Sequence, residues 1–156
     1  MFANYHTHTA RCHHATGEDK AYVEAAIQNG FQVLGFSDHC PWIFSDGYVS
    51  PIRMTPDELD GYVTSLTALK KEYAADITIY IGLESEYVPE SEYVPEMLPE
   101  QQKFLQDYPI DYQILGEHFL YPEQRGIYTG KPTDNAAELK HYVDQVIAGM
   151  ETGNYL

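Results

Sequence analysis

The chain alternates between short apolar runs and stretches of helical period. MFANYHTH begins as a short apolar strand. From about Glu18 to Asn29, Tyr22, Val23, Ala26 and Ile27 share one helical face, and Gly30 supplies the stop. FQVLGFSDH reads as a buried strand ending at Asp38 and His39. Thr55-Pro56-Asp57-Glu58 then opens a helix, with Thr as N-cap, Pro at the first position and Glu in the capping-box position. Leu59, Tyr62, Val63, Leu66 and Leu69 follow at helical spacing. ITIYIGLE is a β-branched strand ending at Glu84, and a weaker helix is expected from about Pro99 to Asp107. IDYQILGEHF reads as a fourth strand ending at Glu117 and His118. Leu139, Tyr142, Val143, Val146, Ile147 and Met150 make the apolar stripe of a last helix that Gly153 ends.

Repeated strand–helix pairs imply an α/β fold with parallel strands joined by helical crossovers. Parallel strands are covered on both faces, and these apolar runs fit that. SEYVPE occurs twice, at Ser85–Glu90 and Ser91–Glu96. That period is far too short for a solenoid, so a small duplication in a surface loop is expected.

Composition narrows the picture. At 156 residues the chain is one domain in length. No stretch approaches the roughly 20 apolar residues of a membrane span, and MFANYH has no signal-peptide character. Cys12 and Cys40 are too few for a disulfide framework, so a reduced, cytoplasmic setting is expected. A formal charge of −15 repels nucleic-acid phosphates and argues against such a partner. It also repels small phosphate esters unless bound cations invert the local field.

HTHTARCHH, from His6 to His14, holds four of the seven histidines. His6 and His8 stand two residues apart near the end of the first strand, so an extended chain points both to one side. His39, Glu84 and His118 end the next three strands. Active sites of parallel α/β folds assemble at that end. The pattern therefore predicts a divalent metal site, for which imidazole and carboxylate suit Zn, Mn or Fe.

Other candidates read more plainly. His141 is expected on a solvated surface. His13 and His14 diverge, so one of them is a ligand. Asp38 and Glu117 are expected to orient imidazoles rather than to ligate. Cys12 reads as a small buried residue, and Trp42 and Phe44 as pocket or loop packing.

HTHT, CHHATG, GFSDH, GLESEY and GEHF, in this order, resemble the motifs of the polymerase-and-histidinol-phosphatase (PHP) family, nearest its histidinol-phosphate phosphatase branch. The resemblance runs from His6 to the last helix. It implies a distorted, TIM-like barrel of about seven βα units with up to three metal ions at the strand C-termini. Carried over by position, His6, His8, His14, His39, Glu84 and His118 are the metal ligands, Glu84 bridging, and Glu84 and His39 are the catalytic residues. The family's later His-Pro-Asp-like and Asp-x-His strands do not appear, and TGNYL falls where a fifth strand is expected. The expectation is a partial barrel of about four βα units over residues 1–156, shortened at its C-terminal side, with unpaired sheet edges open to self-association.

The activity so implied is that of a phosphomonoesterase, with L-histidinol phosphate as substrate and histidine biosynthesis as setting. Two to three divalent ions would activate water for attack on phosphorus. A phosphate-clamping arginine is expected among Arg11, Arg53 and Arg125, with Arg53 first. The alternative is a non-catalytic, metal-binding fragment that self-associates or needs a partner chain. An amidohydrolase also uses an HxH pair, but its carboxylated lysine has no counterpart at a strand end here.

Overall fold

The computed structural model describes residues 2–44, 46–88, 103, 105–124 and 126–156. The whole second SEYVPE copy, the last two residues of the first and most of the helix expected over 99–107 lie outside them; Lys103, Leu105 and Gln106 are helical.

Four parallel strands form one sheet in sequential order: β1 (Ala3–Asn4), β2 (Val33–His39), β3 (Thr78–Ser85) and β4 (Tyr112–Leu115). α1 (Asp19–Gln28) crosses from β1 to β2, and α2 (Leu59–Glu72) from β2 to β3. A single turn of 3-10 helix, Pro56–Glu58, leads into α2. There the Thr55 N–H and hydroxyl both donate to the Glu58 carboxylate, at 2.8 and 3.0 Å. β1 is shorter than the sequence suggests. The chain nevertheless follows β2 as far as Thr7, whose carbonyl accepts the Ser37 N–H at 2.9 Å.

One face of the sheet carries the core. Leu34, Phe36, Ile79, Ile81 and Leu83 meet Val23 and Ala26 of α1 and Leu59, Tyr62, Val63, Leu66 and Leu69 of α2. The expected stripe of α2 is buried in full. On the opposite face the Tyr112 ring lies over Gly82. A Cβ at Gly82 would stand 2.4 Å from that ring, so only glycine admits it. The Tyr112 hydroxyl reaches across to the carbonyls of Tyr5 and Phe36. Tyr5, with its ring against Tyr80 and Tyr112, stays 43% exposed on this face.

Two expectations change. The fourth strand ends at Leu115, before Glu117 and His118. Phe119–Leu120 (β5) instead pairs antiparallel with Ile127–Tyr128 (β6). This hairpin, with the Phe119 and Tyr128 rings 5.8 Å apart, interrupts the βα pattern.

The stripe of the last helix, α3 (Ala136–Glu151), also faces outward. Leu139, Val143 and Ile147 are about half exposed and Met150 is 67% exposed. The inward positions are Gln145 and Gly149. A Cβ on Gly149 would press on Tyr87 and Leu115 at 2.9 and 3.0 Å, so the helix sits too close for the larger residues to face in. The edge of β4 is met at one point by Leu156, whose N–H donates to the Gln113 carbonyl at 2.9 Å.

Candidate metal centre

Register brings the two central ligands together. His39 and Glu84 are paired across β2 and β3, and side chains alternate along a strand, so both lie on the face that carries Gly35 and Gly82. Both are nearly fully buried. Gly116 opens space beside them: a Cβ there would stand 2.4 Å from Glu84 Oε1.

Four imidazoles face the Glu84 carboxylate. Oε1 lies 3.2 Å from His6 Nε2 and 3.6 Å from His118 Nε2. Oε2 lies 3.2 Å from His8 Nε2 and 3.3 Å from His39 Nδ1. His14 completes the cluster, its ring 5.4 Å from that of His8 and 5.1 Å from that of His39. His13, the alternative to His14, follows the Ala10–Cys12 turn with φ 64°, and it is in none of the groups of side chains that could share an ion among the described residues.

The donor atoms fit a cation better than they fit one another. Among the described residues, His8 Nδ1, His39 Nδ1 and Glu84 Oε2 are buried without a hydrogen-bond partner, and such groups ordinarily cost about 1–3 kcal/mol each. Among the described residues three sets can reach a common ion: His6, His8 and Glu84; His39, Glu84 and His118; and His8, Cys12 and His14. Cys12 is thus within reach of a metal, although its thiol donates to the Thr9 carbonyl at 3.1 Å and burial raises its pKa.

Electrostatics leave His39 and Glu84 in metal-binding form. Burial pushes the His39 imidazolium down to about 3, against the pull of Glu84, so the ring is neutral and keeps its lone pair. Burial would raise the Glu84 carboxyl, but His8, His118, His39 and His6 outweigh it and hold it at about 2. For His118 the order is reversed: burial lowers it, and Glu86 and Glu84 more than offset that.

Groups outside the cluster hold the backbone beneath it and, for His14 and His118, the ring itself. Asp38, fully buried, accepts from the Thr9 N–H at 3.0 Å, the Thr9 hydroxyl and the His39 N–H at 2.8 Å, and faces His8 Nδ1 at 3.7 Å. His14 Nδ1 meets the Cys12 carbonyl at 2.8 Å. Glu117, expected to hold an imidazole, instead accepts the Tyr87 N–H at 2.6 Å and the Gln145 amide at 3.1 Å. Burial pushes its carboxyl up to about 8. The carboxylate on His118 is Glu86, 3.1 Å from Nδ1. Sequence reading missed it because it lies beyond the strand end, inside the first SEYVPE copy.

Arg53 is placed differently from the phosphate clamp the sequence suggests. Its side chain is buried and makes four hydrogen bonds: two to Glu86, one to Glu123 and one to the Cys40 carbonyl. Two carboxylates, those of Glu86 and Glu123, engage the guanidinium. Arg11 is held by Asp19 at 2.9 Å, and Arg125 lies outside the described residues. Trp42 and Phe44 line a small cavity with Arg53, Glu86, Phe119 and Glu123. His141 is not a free surface residue: its ring stacks on Tyr121 with centroids 4.6 Å apart.

Comparison with known proteins agrees with this geometry. The family described as PHP domain matches residues 4–154. The chain is 34% identical over 115 residues to the "Probable histidinol-phosphatase" of Deinococcus radiodurans, covering 74% of this chain and 41% of that protein. It is 33% identical over 121 residues to the "Histidinol-phosphatase" of Bacillus subtilis, covering 74% and 43%. It thus spans about two fifths of the length of these relatives. A Listeria monocytogenes structure described as a histidinol phosphatase superposes with a TM-score of 0.60 at 28% identity, covering 75% of this chain and 45% of that one. The histidinol phosphate phosphatase of Lactococcus lactis, solved with zinc, L-histidinol and phosphate, superposes at 0.58 with 22% identity, covering 74% and 40%. The fold is that of a partial barrel of this type.

Proposed function

The chain belongs to the PHP domain family, and from that premise we propose that the protein is a metal-dependent phosphomonoesterase acting on a small phosphorylated metabolite, L-histidinol phosphate. The observation that carries this reading is the meeting of His6, His8, His39 and His118 on the two oxygens of Glu84. Relatives named histidinol-phosphatase support the substrate.

In this reading His6, His8, His14, His39, Glu84 and His118 hold two to three Zn, Mn or Fe ions. Bound ions supply charge stabilisation for the phosphate oxygens and acidify water. Glu84 suits a bridging role because its two oxygens face different pairs of imidazoles. Burial keeps His39 neutral, so it does not compete as a second cation for the phosphate. The net charge of −15 makes a polyanionic nucleic acid a poor substrate and leaves a small ester as the better one. Among the described residues no helix is long and apolar enough to cross a membrane. A cytoplasmic setting, in which Cys12 and Cys40 stay reduced, completes the reading.

The test is phosphate release from L-histidinol phosphate, and from p-nitrophenyl phosphate as a generic ester, by protein loaded with zinc or manganese. Turnover that Glu84→Gln abolishes supports the phosphatase. Bound metal without turnover supports the second reading, a metal-binding fragment that needs a partner chain or associates with itself. The exposed Tyr5–Tyr80 face and the outward stripe of α3 favour that reading.

A further inference from the structure

We infer that Glu86, locked by Arg53, is a positioning residue that aims His118 at the metal centre without ligating metal itself; this rests on the metal-centre reading above. His118 needs such support. It stands between the end of β4 and the start of β5, so no strand ladder fixes its side chain. Among the described residues its backbone is held from the hairpin side, where the Thr129 N–H donates to the His118 carbonyl at 2.9 Å and the Thr129 hydroxyl to that of Glu117 at 2.8 Å.

The imidazole itself is held by Glu86. With Nδ1 donating to Glu86 Oε1, the lone pair of the neutral ring belongs to Nε2, the atom that faces Glu84. A metal-bound histidine commonly hands its other ring N–H to a carboxylate in this way.

Glu86 is held in turn, and its bonds account for its role. Oε1 accepts from His118 Nδ1 and from Arg53 Nη2 at 2.9 Å. Oε2 accepts from Arg53 Nη1 at 3.1 Å and from the Trp42 indole N–H at 3.3 Å. A carboxylate has about four lone-pair sites, and all are engaged, so none remains for a cation. Arg53 is anchored on its far side by Glu123 at 2.8 Å and by the Cys40 carbonyl at 3.1 Å. Glu123 Oε1 accepts from Ser50 at 2.7 Å and Tyr48 at 3.1 Å. A buried chain of charge-assisted bonds thus runs from the loop after β2 through Arg53 to His118. It fixes one ring that the sheet does not reach.

The experiment is a double-mutant cycle on zinc affinity, read by competition with a chelating dye, with folding checked by circular dichroism and thermal melting. Glu86→Ala is expected to weaken zinc binding roughly 10- to 100-fold in a protein that otherwise folds. In a His118→Ala background the same change is expected to have almost no effect, because the residue it acts through is gone. Nitrogen-15 NMR of the zinc-free wild type should show His118 protonated at Nδ1, and Glu86→Ala should redistribute that proton. Equal losses in both backgrounds would overturn the proposal, as would unchanged affinity in Glu86→Ala. If Glu86→Ala does not fold, Glu86→Gln goes through the same cycle under the same criterion. Wild-type protein that binds no zinc would sink the metal-centre reading, whereas zinc binding with additive losses sinks this inference alone.

Discussion

His8 Nε2 lies 3.2 Å from Glu84 Oε2, although the two residues come from the exit of β1 and the end of β3, which are not neighbouring strands. β2 lies between them, and its own last residue, His39, faces the same oxygen at 3.3 Å. Three segments therefore converge on one carboxylate, and its loss should be felt by all of them. Glu84→Gln is expected to lower zinc affinity more than about 100-fold, beyond the range typical of a residue that only supports a ligand. Isothermal titration with zinc checks this; an affinity within a few-fold of wild type would mean that Glu84 does not ligate.

Removal of metal should cost stability, by an amount that grows with the logarithm of free metal above its dissociation constant. Buried donors that lack partners in the protein alone gain one when a cation binds. With free zinc about 100-fold above its dissociation constant, binding stabilises the folded state by about 2.7 kcal/mol. For a chain of this length that is a rise of roughly 5–10 °C in melting temperature. Calorimetry with and without a chelator measures it, and the shift should reverse on chelation.

Arg53 is expected to matter for folding more than for substrate charge. Arg53→Met leaves Glu86 and Glu123 buried without their shared cation. Breaking a buried pair in this way costs about 3–5 kcal/mol. Urea unfolding reads the loss. A variant of unchanged stability with a raised KM for the phosphate ester would restore Arg53 as a phosphate clamp.

Glu117 should make stability fall as pH rises. Its carboxyl is pushed from 4.5 up to about 8 by burial, then by the nearby charge of Glu86. Between those values the folded protein holds a proton that the unfolded chain has released. The contribution is whole below about 4.5 and is lost as pH climbs through about 8. In metal-free protein Glu117→Gln should flatten the stability profile between pH 5 and 8 by about 1–3 kcal/mol. A wild-type profile already flat in that window would refute the shift.

The last helix offers a test of which face is buried. Ile147→Ala removes a half-exposed side chain and should change stability by less than about 0.5 kcal/mol. Leu66→Ala, fully buried under the sheet, should cost about 2–5 kcal/mol. Comparable losses at the two positions, in equilibrium unfolding, would place the α3 stripe in a packed interface.

The period of the apolar residues was enough to locate α1, α2, β2 and β3, because each of these buries one face or both against its sequence neighbours. The positions of His39 and Glu84 at strand ends were legible for the same reason: strand length and alternation are local properties. Tertiary structure alone decided the rest. Glu86 and Arg53 meet across segments that no spacing relates, and a charged pair is buried only where distant donors happen to satisfy it. His118 left the strand that its sequence suggested because the β5–β6 hairpin competes for the residues after it. The stripe of α3 looked like a core face, since periodicity reports amphipathicity but not what lies opposite. There, close approach at Gly149 and the hydrogen bonds of Gln145 chose the inward side.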